Sequence, residues 1–240
     1  MRFIVLALLW PLLAQAQTET RQMGGHLGSR PTLLVLHGSR ADDGGWQLAG
    51  EYIVLTTLQR RFLEGESSPE IGATSLREGT TPILFGRSPS GELRGSLRGG
   101  TFKGARFAPG GQERERFEFS EDFPPLDKYS ASVRCEAGDA RYSSTLNLVV
   151  EAGKLQTLDW RSKLAASGHV CTVTNAEQRP GKGGLHFAAG RCQITLQEIG
   201  EFVWLSAVDC AEQCGSQAYL EPVVIDRRGY CRLLRPENAK

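Results

Sequence analysis

No cysteine precedes Cys135, and the whole chain has four histidines and two methionines. No apolar run approaches the roughly 20 residues that a membrane-spanning helix needs. Formal charge of one sign is also missing, with 28 basic residues against 27 acidic ones. One of the basic residues is Arg2, in a segment read below as a leader, so the remainder balances and bulk electrostatics nominate no polyanionic partner. A redox Cys-x-x-Cys is absent. So is sustained helical spacing, which excludes the crossover helices that a parallel sheet requires.

What is present begins with Arg2, an apolar run from Phe3 to Leu13, and the small-x-small site Ala14-Gln15-Ala16. This predicts a secretory signal peptide over residues 1–16, a mature chain from near Gln17, and a periplasmic or secreted location. With no lipobox cysteine and no C-terminal anchor in the sequence, retention on a membrane is not expected. An even set of cysteines in an exported chain, Cys135, Cys171, Cys192, Cys210, Cys214 and Cys231, predicts disulfides, without selecting the pairing. Zinc is set aside because Cys210-Ala-Glu-Gln-Cys214 has no second close pair and no histidine at ligand spacing.

From Thr32 onward the pattern is strand after strand. Leu146, Leu148 and Val150 alternate with Asn147 and Val149, and Cys192, Ile194 and Leu196 with Gln193 and Thr195, the period of half-buried strands. Thr32–Leu36 and Phe202–Leu205 are apolar on both faces and belong in the middle of a sheet or between layers. Pro89-Ser-Gly91, Gly99-Gly100, Pro109-Gly-Gly111 and Ala152-Gly153 supply short turns, which favour antiparallel neighbours. Weak helical spacing appears only over Leu158–Ala166 and around Ala211–Gln213. The fold class predicted is all-β, as two small antiparallel sandwich or barrel domains. Phe123-Pro-Pro-Leu126 marks the boundary, with a cysteine-free domain at 17–124 and a disulfide-containing one at 125–240.

Catalytic motifs are incomplete. Thr32–Leu36 runs into His37-Gly38 like the oxyanion strand of an α/β-hydrolase, but that fold needs a Gly-x-Ser-x-Gly elbow leading into a helix. Gly86-Arg-Ser88-Pro-Ser90-Gly91 has the wrong spacing and leads into a strand. Gly181-Lys-Gly-Gly184 lacks the first glycine and the Ser/Thr of a phosphate loop. His26, His37, His169 and His186 have no partner at metal spacing, and Asp42-Asp43 beside Gly44-Gly45 reads as a turn. The one charge feature is Arg87, Arg94, Arg98, Lys103, Arg106, Arg114 and Arg116, which would make a basic face on a meander. Nucleic acid is not expected, because base stacking wants exposed aromatics and Phe102 and Phe107 read as core.

Two stretches carry a resemblance. Gly25–Leu36, Leu48-Ala-Gly-Glu-Tyr52, Ser75-Leu-Arg-Glu78 and Ser90-Gly-Glu-Leu93 leading to Thr101–Ala105 resemble a β-module of uncharacterised exported proteins of Gram-negative bacteria, each strand followed by a Gly-marked turn. Ser167-Gly-His-Val-Cys171, Cys192–Leu196 and Cys210–Gly215 resemble a disulfide-bearing module of similar proteins, some grouped with lysozyme inhibitors. That family's aromatic after the Ser-Gly loop is Cys171 here and its Thr-Lys-Gly element is missing, so no inhibitory residue carries over.

The sequence thus points to a non-enzymatic binding protein without a cofactor, whose partner is an envelope or extracellular protein. The alternatives are a lysozyme-inhibitor-like or effector-immunity protein, and a hydrolase using Ser88 or Ser90 with a histidine. Reduction is expected to unfold the cysteine-containing half and leave the other folded. Joint loss of both halves in a melt of the reduced protein would show that they are not independent.

Overall fold

The structure, a computed structural model, describes residues 18–234 apart from 43, 69–71, 83–87, 139 and 216–219, with the backbone alone at 137. The expected leader, Gln17, Asp43 and Arg87 lie outside the described residues.

Eight antiparallel strands come first: β1 (Thr18–Leu27), β2 (Arg30–Arg40), β3 (Trp46–Val54), β4 (Gln59–Ser67), β5 (Ala73–Gly79), β6 (Gly91–Arg98), β7 (Thr101–Phe107) and β8 (Glu113–Ser120). Each pairs with the next. β1 then returns to β8, Gly24–Leu27 against Phe117–Ser120, and closes a barrel. Period-two alternation turns one side chain in two inward, so Met23, Leu34, Leu63, Leu76, Phe102 and Phe119 meet as a packed interior. The outward side chains include Glu64, Arg77, Arg94, Lys103 and Glu118. This is the reverse of a membrane barrel, whose outer band is apolar.

Closing so small a barrel bends the sheet, and inward-facing glycines take the bend. A Cβ on Gly25, Gly50, Gly65, Gly95 or Gly104 would stand only 2.0, 2.0, 1.9, 2.1 or 2.0 Å from a carbonyl oxygen of the neighbouring strand. None of the five has a positive φ, so the requirement is space for close backbone approach. Gly50 and Gly104 sit inside β3 and β7.

The rest of the chain forms two sheets. β9 (Ala131–Gly138), β10 (Tyr142–Glu151), β11 (Lys154–Leu164) and β12 (Val170–Thr174) make one. β13 (Glu177–Arg179), β14 (Leu185–Ala189), β15 (Cys192–Ile199), β16 (Phe202–Val208), β17 (Val223–Asp226) and β18 (Cys231–Leu233) make the other, in sequence order. Leu146, Leu148, Trp160 and Val173 from the first close over Phe187, Ile194, Leu196 and Leu205 from the second, so the pair is a sandwich with one core. The weak helical spacing over Leu158–Ala166 loses to period two: Leu158, Trp160 and Ser162 are buried while Arg161 and Lys163 are exposed. The spacing near Ala211 is realised as a one-turn helix, α1 (Ala211–Cys214).

All six cysteines are bonded. Cys135–Cys231 joins β9 to β18, one sheet to the other, Cys171–Cys214 ties β12 to α1, and Cys192–Cys210 ties β15 to the residue before α1. Such bonds persist in oxidising compartments. No described helix is long and apolar enough to cross a membrane.

The two runs that are apolar on both faces stand between layers. β2 turns Leu34 and Leu36 into the barrel and Leu33 and Val35 outward. β16 turns Val203 and Leu205 into the sandwich, and Phe202 and Trp204 outward to join Leu33, Ile53, Leu55 and Phe123 in a third buried cluster. Arg232 adds hydrogen bonds to the carbonyls of Leu55 and Thr56, at 2.6 and 3.0 Å. Opening the sandwich would strip this cover from the barrel wall.

Gly65→Ala is expected to destabilise the protein by roughly 1–3 kcal/mol, the cost of overpacking where a backbone cannot retreat. A lowered denaturant midpoint at unchanged slope would register it, and an unchanged midpoint would show that the barrel has room there.

Candidate functional site

The two ends of the barrel differ in what faces inward. At the end carrying the β1–β2, β3–β4, β5–β6 and β7–β8 connections, charged residues occupy the inward phase. Glu78 follows Thr74 and Leu76 in that phase, and Arg106 follows Phe102 and Gly104. The Glu78 side chain is fully buried. It accepts from Arg106 at 2.6 and 2.9 Å, from Ser90 at 3.3 Å and from the Tyr52 hydroxyl, with Arg61 3.4 Å away. Arg106 also approaches Glu115 at 3.5 Å, and Glu115 accepts from Arg30 at 2.7 and 2.8 Å. This network is the floor of the barrel.

Burial alone would raise the Glu78 carboxyl. Bonds from Arg106 and Tyr52, with the charges of Arg106 and Arg61, outweigh it and hold the group below the usual carboxylate range. The same burial, together with the Glu78 charge, pushes the Tyr52 hydroxyl well above its ordinary range. Both groups are locked in one protonation state at neutral pH, which suits a structural seal better than proton transfer.

The opposite end is open among the described residues. Trp46 begins β3 in the inward phase, and the residues beside it in cross-strand register, Ser67, Thr74 and Gly95, are all small. On its other side Arg40 is its register partner, 6.0 Å over the ring. A Cβ on Gly38 would lie 2.9 Å from the indole, so the ring rests on bare backbone. The result is a mouth hollow of about 400 Å³, with Leu36, Leu48 and Leu97 below and Arg21, Glu19 and Arg98 at the rim. Trp46, Ser67 and Ser68 also border a second hollow of about 630 Å³ over the outer wall. There Gln47, Glu66, Ser75 and Arg94 stand in register across β3 to β6. Glu92 joins them, accepting from Ser75 and Arg94, each at 2.5 Å, and Arg94 holds its carboxyl below the usual range. The Ser67 and Thr74 hydroxyls stand 2.9 Å apart, and the Thr74 hydroxyl is also 3.0 Å from the Gly72 carbonyl.

The residues of the expected basic face are dispersed. Arg94 lines the outer hollow and Arg98 the mouth. Lys103 and Arg116 border a shallow groove along the β1–β8 seam, beside Glu118 at 2.6 Å and Glu113 at 3.5 Å. Arg114 is exposed. Arg106 points the other way, into the floor, because it shares the phase of Phe102. His37 is on the outer wall, near the mouth, bonded to Thr20 at 3.0 Å. Ser90 lies at the floor end beside Glu78, so the two stand toward opposite ends of the barrel. His186 bonds the Gly183 carbonyl at 2.7 Å, closing the Gly181–Gly184 turn.

Glu78→Gln is expected to cost roughly 3–5 kcal/mol at neutral pH, the usual penalty for leaving buried guanidiniums without their carboxylate. Because the folded-state pKa is depressed, the carboxylate's contribution is full above about pH 4, the unfolded value, and is lost as pH falls through the folded one. Melts from pH 7 to 2 should show an acid slope in the wild type that is flatter in the variant; parallel slopes would place the acid sensitivity elsewhere. No protein-family model, curated protein or solved structure matches the chain.

Proposed function

We propose that the protein is a non-enzymatic binding protein, exported by its leader to the periplasm or beyond, that takes a small ligand at the barrel mouth. One observation carries the reading: the barrel has a sealed floor and an open mouth, and a half-buried tryptophan stands in that mouth among small neighbours. Barrels of eight strands are just wide enough to be filled by side chains or to hold one small ligand. Here the middle is filled and the mouth is hollow. A concave site with an apolar floor and a few polar groups at the rim is the usual form of a ligand pocket. The disulfides support the compartment, since they persist where the environment is oxidising.

The test is native mass spectrometry of the mature protein after incubation with envelope and culture-fluid extracts and desalting. A bound small molecule is expected in the wild type and in Arg161→Ala, on the far sheet, and is expected to be lost in Leu97→Glu, which puts a charge into the floor of the hollow. Equal retention in Leu97→Glu, or no bound species in any sample, would overturn the proposal.

A further inference from the structure

Resting on the mouth as the binding site, we infer that its ligand is a short neutral glycan that lies across Trp46 from the mouth hollow into the outer one. The two hollows share Trp46, Ser67 and Ser68 and so form one continuous depression.

The lining decides the chemical class. Three guanidiniums, of Arg21, Arg94 and Arg98, and three carboxylates, of Glu19, Glu66 and Glu92, face this depression. An anion would meet the carboxylates, and a cation the guanidiniums. A purely apolar ligand would take water from both kinds of charge and return no hydrogen bond, which is costly. A hydroxyl both donates and accepts, so a ligand built from hydroxyls can bond to either kind of group. A sugar ring also has a face of C–H bonds, which matches an indole whose neighbours toward β4, β5 and β6, Ser67, Thr74 and Gly95, are too small to cover it, while Arg40 holds it from the β2 side. The size agrees: hollows of about 400 and 630 Å³ lie within the usual range for small ligands, and the packed core beneath them stops a long chain from threading down the barrel.

Part of the polar wall is already ordered. Ser75 and Arg94 both hold Glu92, and Arg21 lies 3.0 Å from Glu19 and 3.6 Å from Glu121. Side chains fixed before binding lose less entropy on contact. Trp46 is also a reporter, because the other tryptophans of the described residues, Trp160 and Trp204, are buried in the sandwich core and the interface.

The experiment has two arms: a printed array of neutral and acidic glycans probed with the mature protein, and a titration of Trp46 emission with the best neutral hit and with decanoate. Binding confined to neutral glycans is expected, with a saturable emission change. Trp46→Ala should weaken it by about ten-fold or more, the loss typical of one anchoring aromatic, and Trp46→Phe should restore most of it. Circular dichroism melts would confirm that both variants are folded. Preference for acidic glycans, a saturable response to decanoate alone, or no array binding would overturn the glycan class. A ligand retained by the wild type and lost in Leu97→Glu in the mass spectra would in those cases still uphold the mouth as the site, so the two proposals fail separately.

Discussion

The carboxylate of Glu78 is the constraint on which the barrel's polarity depends. An ion with no exposed surface is tolerable only where opposite charge and hydrogen bonds replace water. Here Arg106, Arg61, Tyr52 and Ser90, drawn from four further strands or their flanks, supply them. Meeting that demand draws the chain together at one end of the barrel and seals it. Among the described residues no fully buried ion stands at the other end, where the inward phase reads Gly38, Ser67 and Thr74 and its charges, Glu19, Arg21 and Arg40, stay at the solvated rim. A cup with one opening follows from where the charges and the small residues fall in a common alternation.

The second dependence is the packing of β2 against β16. Each strand is apolar on both faces because each belongs to two cores at once, its own and the shared cluster of Leu33, Ile53, Phe123, Phe202 and Trp204. The barrel contains no cysteine, yet part of its outer wall is buried only as long as the disulfide-bonded sandwich holds Phe202 and Trp204 in place. Cys135–Cys231 is the bond most directly concerned, since it links the two sheets and anchors β18 beside Arg232, which bonds the barrel's Leu55 and Thr56 carbonyls.

Much of this was legible in the residues. Alternation announced an all-β chain, the cysteines announced disulfides, and Thr32–Leu36 and Phe202–Leu205 announced strands between layers. The pairing of cysteines and the closure of β1 on β8 were not legible, because both are contacts between residues far apart in sequence. The floor was partly legible. Glu78 in the phase of Leu76, Arg61 in the phase of Leu63, Arg106 in the phase of Phe102 and Glu115 in the phase of Phe117 are each a charge in an apolar rhythm. Four such charges beside the turns at one end are a signal in local sequence. Counting charge by segment hid it, grouping Arg106 with Arg94 and Lys103 although it faces the other way. The close approaches at Gly50 and Gly104 were not legible, since glycine marks a turn or a close approach and only the neighbouring strand decides which.

The same alternation explains how the sandwich can brace the barrel without covering its mouth. Along the outer phase of β3 the residues run Gln47, Ala49, Glu51 and Ile53, exposed at the mouth and buried toward the floor. Ile53 is buried in the interface with the sandwich, whereas Gln47 lines the outer hollow beside Trp46. At about 3.3 Å per residue these two points on one strand are roughly 20 Å apart. The interface therefore stiffens the wall at the end where the floor is already fixed, and the strand carries that rigidity up to the tryptophan. A binding surface mounted on a braced strand is better placed to keep its polar groups ordered than one on a loop, and in this barrel the indole, Gln47 and the register row to Arg94 are all mounted on strands.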